Sequence, residues 1–298
     1  MPCPHCGSAR TQERPRRTSL GYRTFRCVAC GRRFNERSGT PFNDLSVPTD
    51  IVFLVVLWRL RYPLSLRHLA EMFLDRGFVF SHETVRSWEA LVAPLLTEYL
   101  RARRRGKAGL RWHADETYVK VHGVWCYLYR AIDAEGNLVD SLLSAHRDMD
   151  AAKRFFRHAL RVAGRIPEKV TTDGHDAYPR AIRETLGEDV VHRCSRYMNN
   201  RIEQDHRGIK GRYHPMRGFG TFHSAARFCS AHDELRDYFR HRTRMDEVVP
   251  LGVPAGAISR PVGRVAGEAQ GGVDGQLWGT TLFIPSPLLP ATISCSQT

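Results

Sequence analysis

From Leu110 onwards the chain changes its hydrophobic period. Residues 112–121, 125–132 and 138–145 are apolar throughout or alternate apolar with polar positions. They are separated by His122-Gly123 and by Asp133-Ala134-Glu135-Gly136-Asn137, so the pattern predicts three antiparallel strands joined by turns. Phe155, Phe156, Ala159 and Leu160 then share one face of a helix that Asp150 can cap. Val170-Thr171-Thr172 reads as a fourth strand ending at Asp173-Gly174. A helix over 178–186, a short strand over 189–193 and a long helix from about Asn200 follow.

Upstream the period is helical. Thr49 can cap a helix whose residues 51–58 are apolar all round and therefore buried. Ser65 can cap a second helix that runs to Arg76, and Gly77 interrupts the pattern. Ser81 then starts a third helix carrying His82, Glu83, Arg86 and Trp88. Helix, glycine turn and helix outline a helix-turn-helix with 81–93 in the recognition position and Arg86 as a DNA contact; a plain three-helix bundle fits the same residues. Arg101, Arg103, Arg104, Arg105 and Lys107 read as a basic, solvated linker that touches phosphates. The eight-residue apolar run is far short of the roughly 20 needed for a membrane span, and Met1-Pro2-Cys3-Pro4 opens no secretory signal. No membrane partner is expected, and the expected location is the cytoplasm, on the nucleoid.

Charge narrows the partner. The 298 residues hold 45 Lys and Arg, 40 of them Arg, against 31 acids, a formal net charge of +14. The last 53 residues include eight Gly and six Pro, with two Arg against four acids. That composition predicts a disordered tail and leaves +16 on residues 1–245, the signature of a protein that grips a polyanion. Four of the eight cysteines stand in two C-x-x-C pairs, Cys3/Cys6 and Cys27/Cys30. Each pair can turn two thiolates towards one ion, so the spacing predicts a Zn²⁺ ribbon, with Gly7 and Gly31 where each knuckle turns. His5, inside the first pair, is a bystander to four thiolates. The expected organisation is a zinc ribbon (1–45), a helix-turn-helix region with a basic linker (46–105), an α/β catalytic domain of ribonuclease-H-like order (106–245) and the tail (246–298).

Phosphodiester chemistry on DNA needs carboxylates that hold Mg²⁺ or Mn²⁺. Three acids stand where such a fold would gather them: Asp115 within the first strand, Asp173 at the end of the fourth, and Glu203 near the start of the long helix. Each has a plain alternative, a turn residue for the aspartates and a capping-box partner of Asn200 for Glu203. Arg207 and Lys210 share a helix face with Glu203, either as a solvated ion pair or as a grip on DNA phosphates. By strand alternation Glu116 faces away from Asp115, and by helical rotation Asp205 faces away from Glu203.

Five segments together carry a resemblance: Asp115-Glu116-Thr117-Tyr118-Val119-Lys120-Val121, Trp125 through Asp133, Thr172-Asp173-Gly174, Tyr197 through Lys210 and Met216-Arg217-Gly218-Phe219. They resemble the DDE transposases of bacterial and archaeal insertion sequences, specifically the insertion-sequence-six family, from about Arg59 to Arg240. The resemblance implies Asp115, Asp173 and Glu203 as the catalytic triad holding Mg²⁺ or Mn²⁺, with Lys210 the basic residue that accompanies the acid on its helix. It also implies an enzyme that binds the terminal inverted repeats of its own element, cuts the ends and joins the 3′ hydroxyls to target DNA, forming cointegrates. A homo-oligomer on the DNA is expected with it. Only 29 residues separate Asp173 from Glu203, a few fewer than the family leads one to expect, and the Gly/Pro-rich tail is outside the family pattern. The competing reading is a non-catalytic DNA-binding protein, a degenerate transposase or a repressor of its own element.

Overall fold

The computed structural model describes residues 1–195, 200–216 and 218–240; the tail at 246–298 lies outside them. The N-terminal module is a three-stranded antiparallel sheet of β1 (Thr11–Arg14), β2 (Thr24–Cys27) and β3 (Arg33–Asn35). It is too small for an apolar core of its own: Phe25 and Phe34, register partners stacked 5.4 Å apart, pack with Cys3 and Cys27 and little else. The two C-x-x-C segments fold alike. Gly7 and Gly31 donate to the carbonyls of Cys3 and Cys27 and take φ of +71° and +74°, a turn that a side chain would strain.

The helical region is α1 (Thr49–Arg61), α2 (Leu66–Leu74) and α3 (His82–Arg104). Ser65 and Ser81 cap as expected, accepting from the amides of His68 and Thr84. Thr49 does not. Its amide donates to the hydroxyl of Tyr22, 2.8 Å away in the ribbon, and that hydroxyl donates back to Thr49 Oγ1. A side chain distant in sequence therefore does the work expected of a local cap. The third helix also runs past the expected end at Ala93 to Arg104, because Ala93, Leu96, Thr97 and Leu100 continue its buried stripe. The basic run is thus partly helical. Arg104 forks onto Glu234 and donates to the carbonyls of Leu138 and Val139, while Arg101 reaches Glu234 and Asp140, so these two are structural cations and not solvated linker. Trp88 is likewise core, packed on Phe80 at 4.7 Å.

The larger sheet contains β4 (Arg111–Val121), β5 (Val124–Asp133), β6 (Leu138–Ser144), β7 (Lys169–Thr172) and β8 (Val191–Cys194). Its order is β6-β5-β4-β7-β8. The first three strands are antiparallel, and β7 and β8 add in parallel, which is the mixed ribonuclease-H-like order expected. On one face lie α4 (Met149–Ala163), capped by Asp148 and not Asp150, and α5 (Ala177–Leu186). The other face carries α6 (Asn200–Tyr213) and α7 (Phe222–Tyr238). Here Val119, Val121, Leu128 and Leu143 of the sheet join Phe228 of α7 and the buried residues of α1, α2 and α3 in one continuous core. The short strand starts two residues later than the sequence pattern suggests, at Val191, where its register with Lys169 begins.

Candidate active site

β7 pairs with β4 only from Arg111 to His113, and both chains run the same way. Beyond His113 the β4 edge is therefore open, and Asp173, one residue past the end of β7, stands level with Asp115 when that register is continued. Gly174, at φ +96°, turns the chain away, leaving the Asp173 side chain at the carboxyl end of the strand.

The open edge explains a departure from strand alternation. Asp115 and Glu116 leave the backbone on opposite faces, yet their carboxylate oxygens and one of Asp173 all lie within 4.8 Å of one another. No neighbouring strand stands between them, so both side chains reach round the edge into the same space. Asp115 accepts from the Glu116 amide at 2.9 Å. Glu116 is buried, accepting from the Tyr178 hydroxyl on α5 and from Arg147 in the β6–α4 loop; Arg147 also lies 3.9 Å from Asp173. Burial, then the charges of Glu116, Asp173 and Glu203, push Asp115 up to about 7. Such a cluster is short of positive charge, and close hard oxygens of this kind suit a divalent cation.

Glu203 is exposed in the first turn of α6, near enough for its charge to act on Asp115. Its carboxylate is not among the mutually close oxygens. Arg207 and Lys210 are exposed on the same helix, as expected. Asp205 is not the idle neighbour that rotation round the helix predicts: it is buried against Arg130, at 2.6 Å, and against Arg236. Arg130 is the register partner of Asp115 on β5, but its guanidinium is taken by Asp205 and, bidentately, by Asp233 of α7. This network docks α6 on the sheet. Gly208 leaves room for the Arg236 arm of it, because a Cβ there would crowd the Arg236 guanidinium. At the far end of α6, Arg212 donates to the carbonyls of Arg59 and Leu60, the last turn of α1. Glu116 and Asp205 are the two acids of these clusters that periodicity alone misplaces.

In the ribbon, the sulfurs of Cys3 and Cys30 are 3.7 Å apart and those of Cys6 and Cys27 3.6 Å, and all four lie within 4.8 Å of one another. A tetrahedral Zn²⁺ with bonds of about 2.3 Å spaces its sulfurs about 3.8 Å apart, so the donors fit that ion. His5 lies outside the group, beside Arg32. Arg86 is exposed on α3 and paired with Glu83.

The family model described as a DDE domain matches residues 109–242. The transposase for insertion sequence-like element IS431mec of Staphylococcus aureus is 40% identical over 167 residues, covering 55% of this chain and 74% of the relative. The transposase for insertion sequence element IS257 in transposon Tn4003, also from Staphylococcus aureus, matches to the same extent. Among solved structures, the simian T-cell lymphotropic virus intasome in complex with PP2A regulatory subunit B56 gamma has a chain that is 13% identical with a TM-score of 0.36, covering 63% of each chain. The HTLV-2 integrase catalytic core domain in complex with magnesium is 13% identical with a TM-score of 0.34, covering 48% of this chain and 93% of that one. With its DDE domain and its likeness to the staphylococcal enzymes, the chain belongs to the insertion-sequence-six family of DDE transposases.

Proposed function

We propose that this transposase uses Asp115, Asp173 and Glu203 as its catalytic acids, on Mg²⁺ or Mn²⁺, to cut the ends of its own insertion sequence and join them to target DNA. The observation that supports this reading most is the meeting of Asp115 and Asp173 at the open edge of β4, where repelling carboxylates share one space. Bound there, a divalent metal pair supplies charge for the attacking and leaving oxygens of the phosphodiester. Asp115 and Asp173 would hold the metal from the sheet, and Glu203 would complete the set from α6. Arg207 and Lys210, on the exposed side of α6, suit contacts to the DNA backbone flanking the cut. Arg147 keeps Glu116 neutralised, so that this third acid is a support for the site and not a free ligand.

The ribbon, with Zn²⁺ on Cys3, Cys6, Cys27 and Cys30, and the α2–α3 pair, with Arg86 exposed, would bind the terminal inverted repeats. α2 and α3 are joined by residues 75–81, which include Gly77 at φ +82°; this connection is longer than the turn of about three to four residues in the usual helix-turn-helix, so the reading rests on the exposed, basic start of α3. A homo-oligomer would hold two ends together, in the cytoplasm on the nucleoid; among the described residues no helix is long and apolar enough to cross a membrane.

The test is Mg²⁺-dependent joining of pre-cut element ends to a plasmid by the full chain. Asp173→Asn and Glu203→Gln should each abolish joining while sparing end binding. Full activity in Glu203→Gln would remove it from the triad and favour a non-catalytic DNA-binding protein. For the ribbon, the purified protein should hold about one equivalent of Zn²⁺, and Cys27→Ser should lose it and unfold that module; stoichiometric zinc in the variant would refute the assignment.

A further inference from the structure

Past Ser144, the register partner of Tyr127, β6 ends, and past His113 β4 has no partner in β7, so residues 118–127 leave the sheet as a two-stranded hairpin. Its two faces differ. One carries the buried Val119, Val121 and Cys126 into the core. On the other, Tyr118 pairs with Tyr127 and Lys120 with Trp125, and Tyr118 and Trp125 remain 45% and 51% exposed.

A lone hairpin in water is marginally stable, yet this one is pinned. Phe219 donates its amide to the Lys120 carbonyl at 3.0 Å and accepts from the His122 amide at 2.7 Å. Gly218 permits the approach, since a Cβ there would stand 2.8 Å from the Lys120 oxygen. The exposed aromatics are therefore presented on a fixed platform. Tyr118 meets Trp125 edge-on at 6.2 Å and Tyr127 at a 57° tilt, so the rings do not stack on one another and keep faces for a further flat group. Lys120 lies 5.5 Å from the Trp125 ring centre.

This face is continuous with the acid cluster. Glu116 precedes Tyr118 on the same side of β4, about 7 Å along the strand, and Lys120 follows about 7 Å further. Cations flank the row at both ends, Arg147 against Glu116 and Lys120 over Trp125. We propose that this aromatic row is a stacking platform for one or two unpaired bases of the DNA strand whose phosphate lies at Asp115 and Asp173. The proposal rests on the catalytic reading above. Bases within a duplex are already stacked on their neighbours, whereas an unpaired base offers the ring face that Trp125 and Tyr118 can take, and the cations suit its phosphates.

The experiment measures binding of the full chain to a labelled 20-nucleotide single strand of mixed sequence and to the same sequence as duplex, at about physiological salt. Trp125→Ala should weaken single-strand binding about tenfold and duplex binding by less than about twofold, and Trp125→Phe should restore most of the loss. Tyr118→Ala should act in the same direction. Because both side chains are half exposed, the melting temperature should not move. Equal losses on single strand and duplex, or no loss on either, would overturn the proposal. So would unchanged single-strand affinity with a smaller species in sedimentation, which would make this face a contact between copies of the chain. Asp173→Asn keeps the two readings separable: it should lose joining, while Trp125→Ala added in that background should still weaken single-strand binding about tenfold. Retained joining would overturn the site assignment, whatever the hairpin variants do.

Discussion

Asp115 and Arg130 face each other across adjacent strands, yet they belong to groups that treat charge in opposite ways. Around Arg130, Asp205 and Asp233 meet two guanidiniums, and every carboxylate has a cation within contact. Burial works to raise Asp205, but Arg130 and Arg236 outweigh it and hold the carboxyl low. Around Asp115, three carboxylates share one cation among the described residues, Arg147, and Asp115 is driven up to about 7. The paired network is a fastening. The charge-poor cluster is costly without a further cation, and a protein retains such cost where chemistry needs it.

This contrast can be broken. The largest effect is expected from Asp173→Asn, which should lower joining by at least about 10²–10³-fold with little change in melting temperature; joining assays beside thermal unfolding separate the two. Asp205→Asn should do the reverse in kind. It leaves Arg130 short of a partner inside the protein, and removing one side of a buried pair costs about 3–5 kcal/mol, read from denaturant unfolding. A variant as stable as the unaltered chain would show that the network fastens nothing.

Two smaller effects sharpen the comparison. In metal-free protein, Asp115→Asn should raise the melting temperature by a few degrees, because it relieves repulsion. Since the native carboxyl binds its proton more tightly than the unfolded chain does, stability should fall as pH rises from about 4 to about 7, and this slope should be absent in the variant. Unfolding measured across that pH range, with and without Mg²⁺, checks both. Gly208→Ala should have the smallest effect. The new methyl displaces the Arg236 guanidinium from Asp205, and Arg236 is 37% exposed and can move, so the loss should stay below about 1 kcal/mol.

Much of this was readable beforehand, for physical reasons. The five strands follow from period-2 alternation and turn residues, and the ribbon from cysteine spacing that few folds other than a metal site can use. Asp115 and Asp173 were visible because strand order alone predicts which strand ends meet. Glu116 was not, because alternation assumes a neighbour on each side and fails at an edge where β7 stops early. Asp205 was not, because its partners Arg130 and Arg236 come from β5 and α7, far away in sequence. The role of Tyr22 was hidden for the same reason: a cap 27 residues distant leaves no local pattern.

The sharing of one core by α1, α2, α3, α7 and the sheet bears on how such a protein can be inherited in parts. The seam at which a segment could be exchanged lies near Val47, where the described junction comprises the Tyr22 hydroxyl on Thr49, the Arg37 guanidinium on the carbonyls of Asn43, Leu45 and Val47, and the Phe42 ring packed on Phe53 at 5.4 Å. A new ribbon must reproduce a few polar contacts there and fill the place of the Phe42 ring. A cut at residue 105 would instead divide a packed interior and expose Val52, Leu60, Val92 and Leu96 on one side and Phe228 on the other. Lineages are therefore expected to trade ribbons more readily than the helices, which pass on together with the sheet they cover.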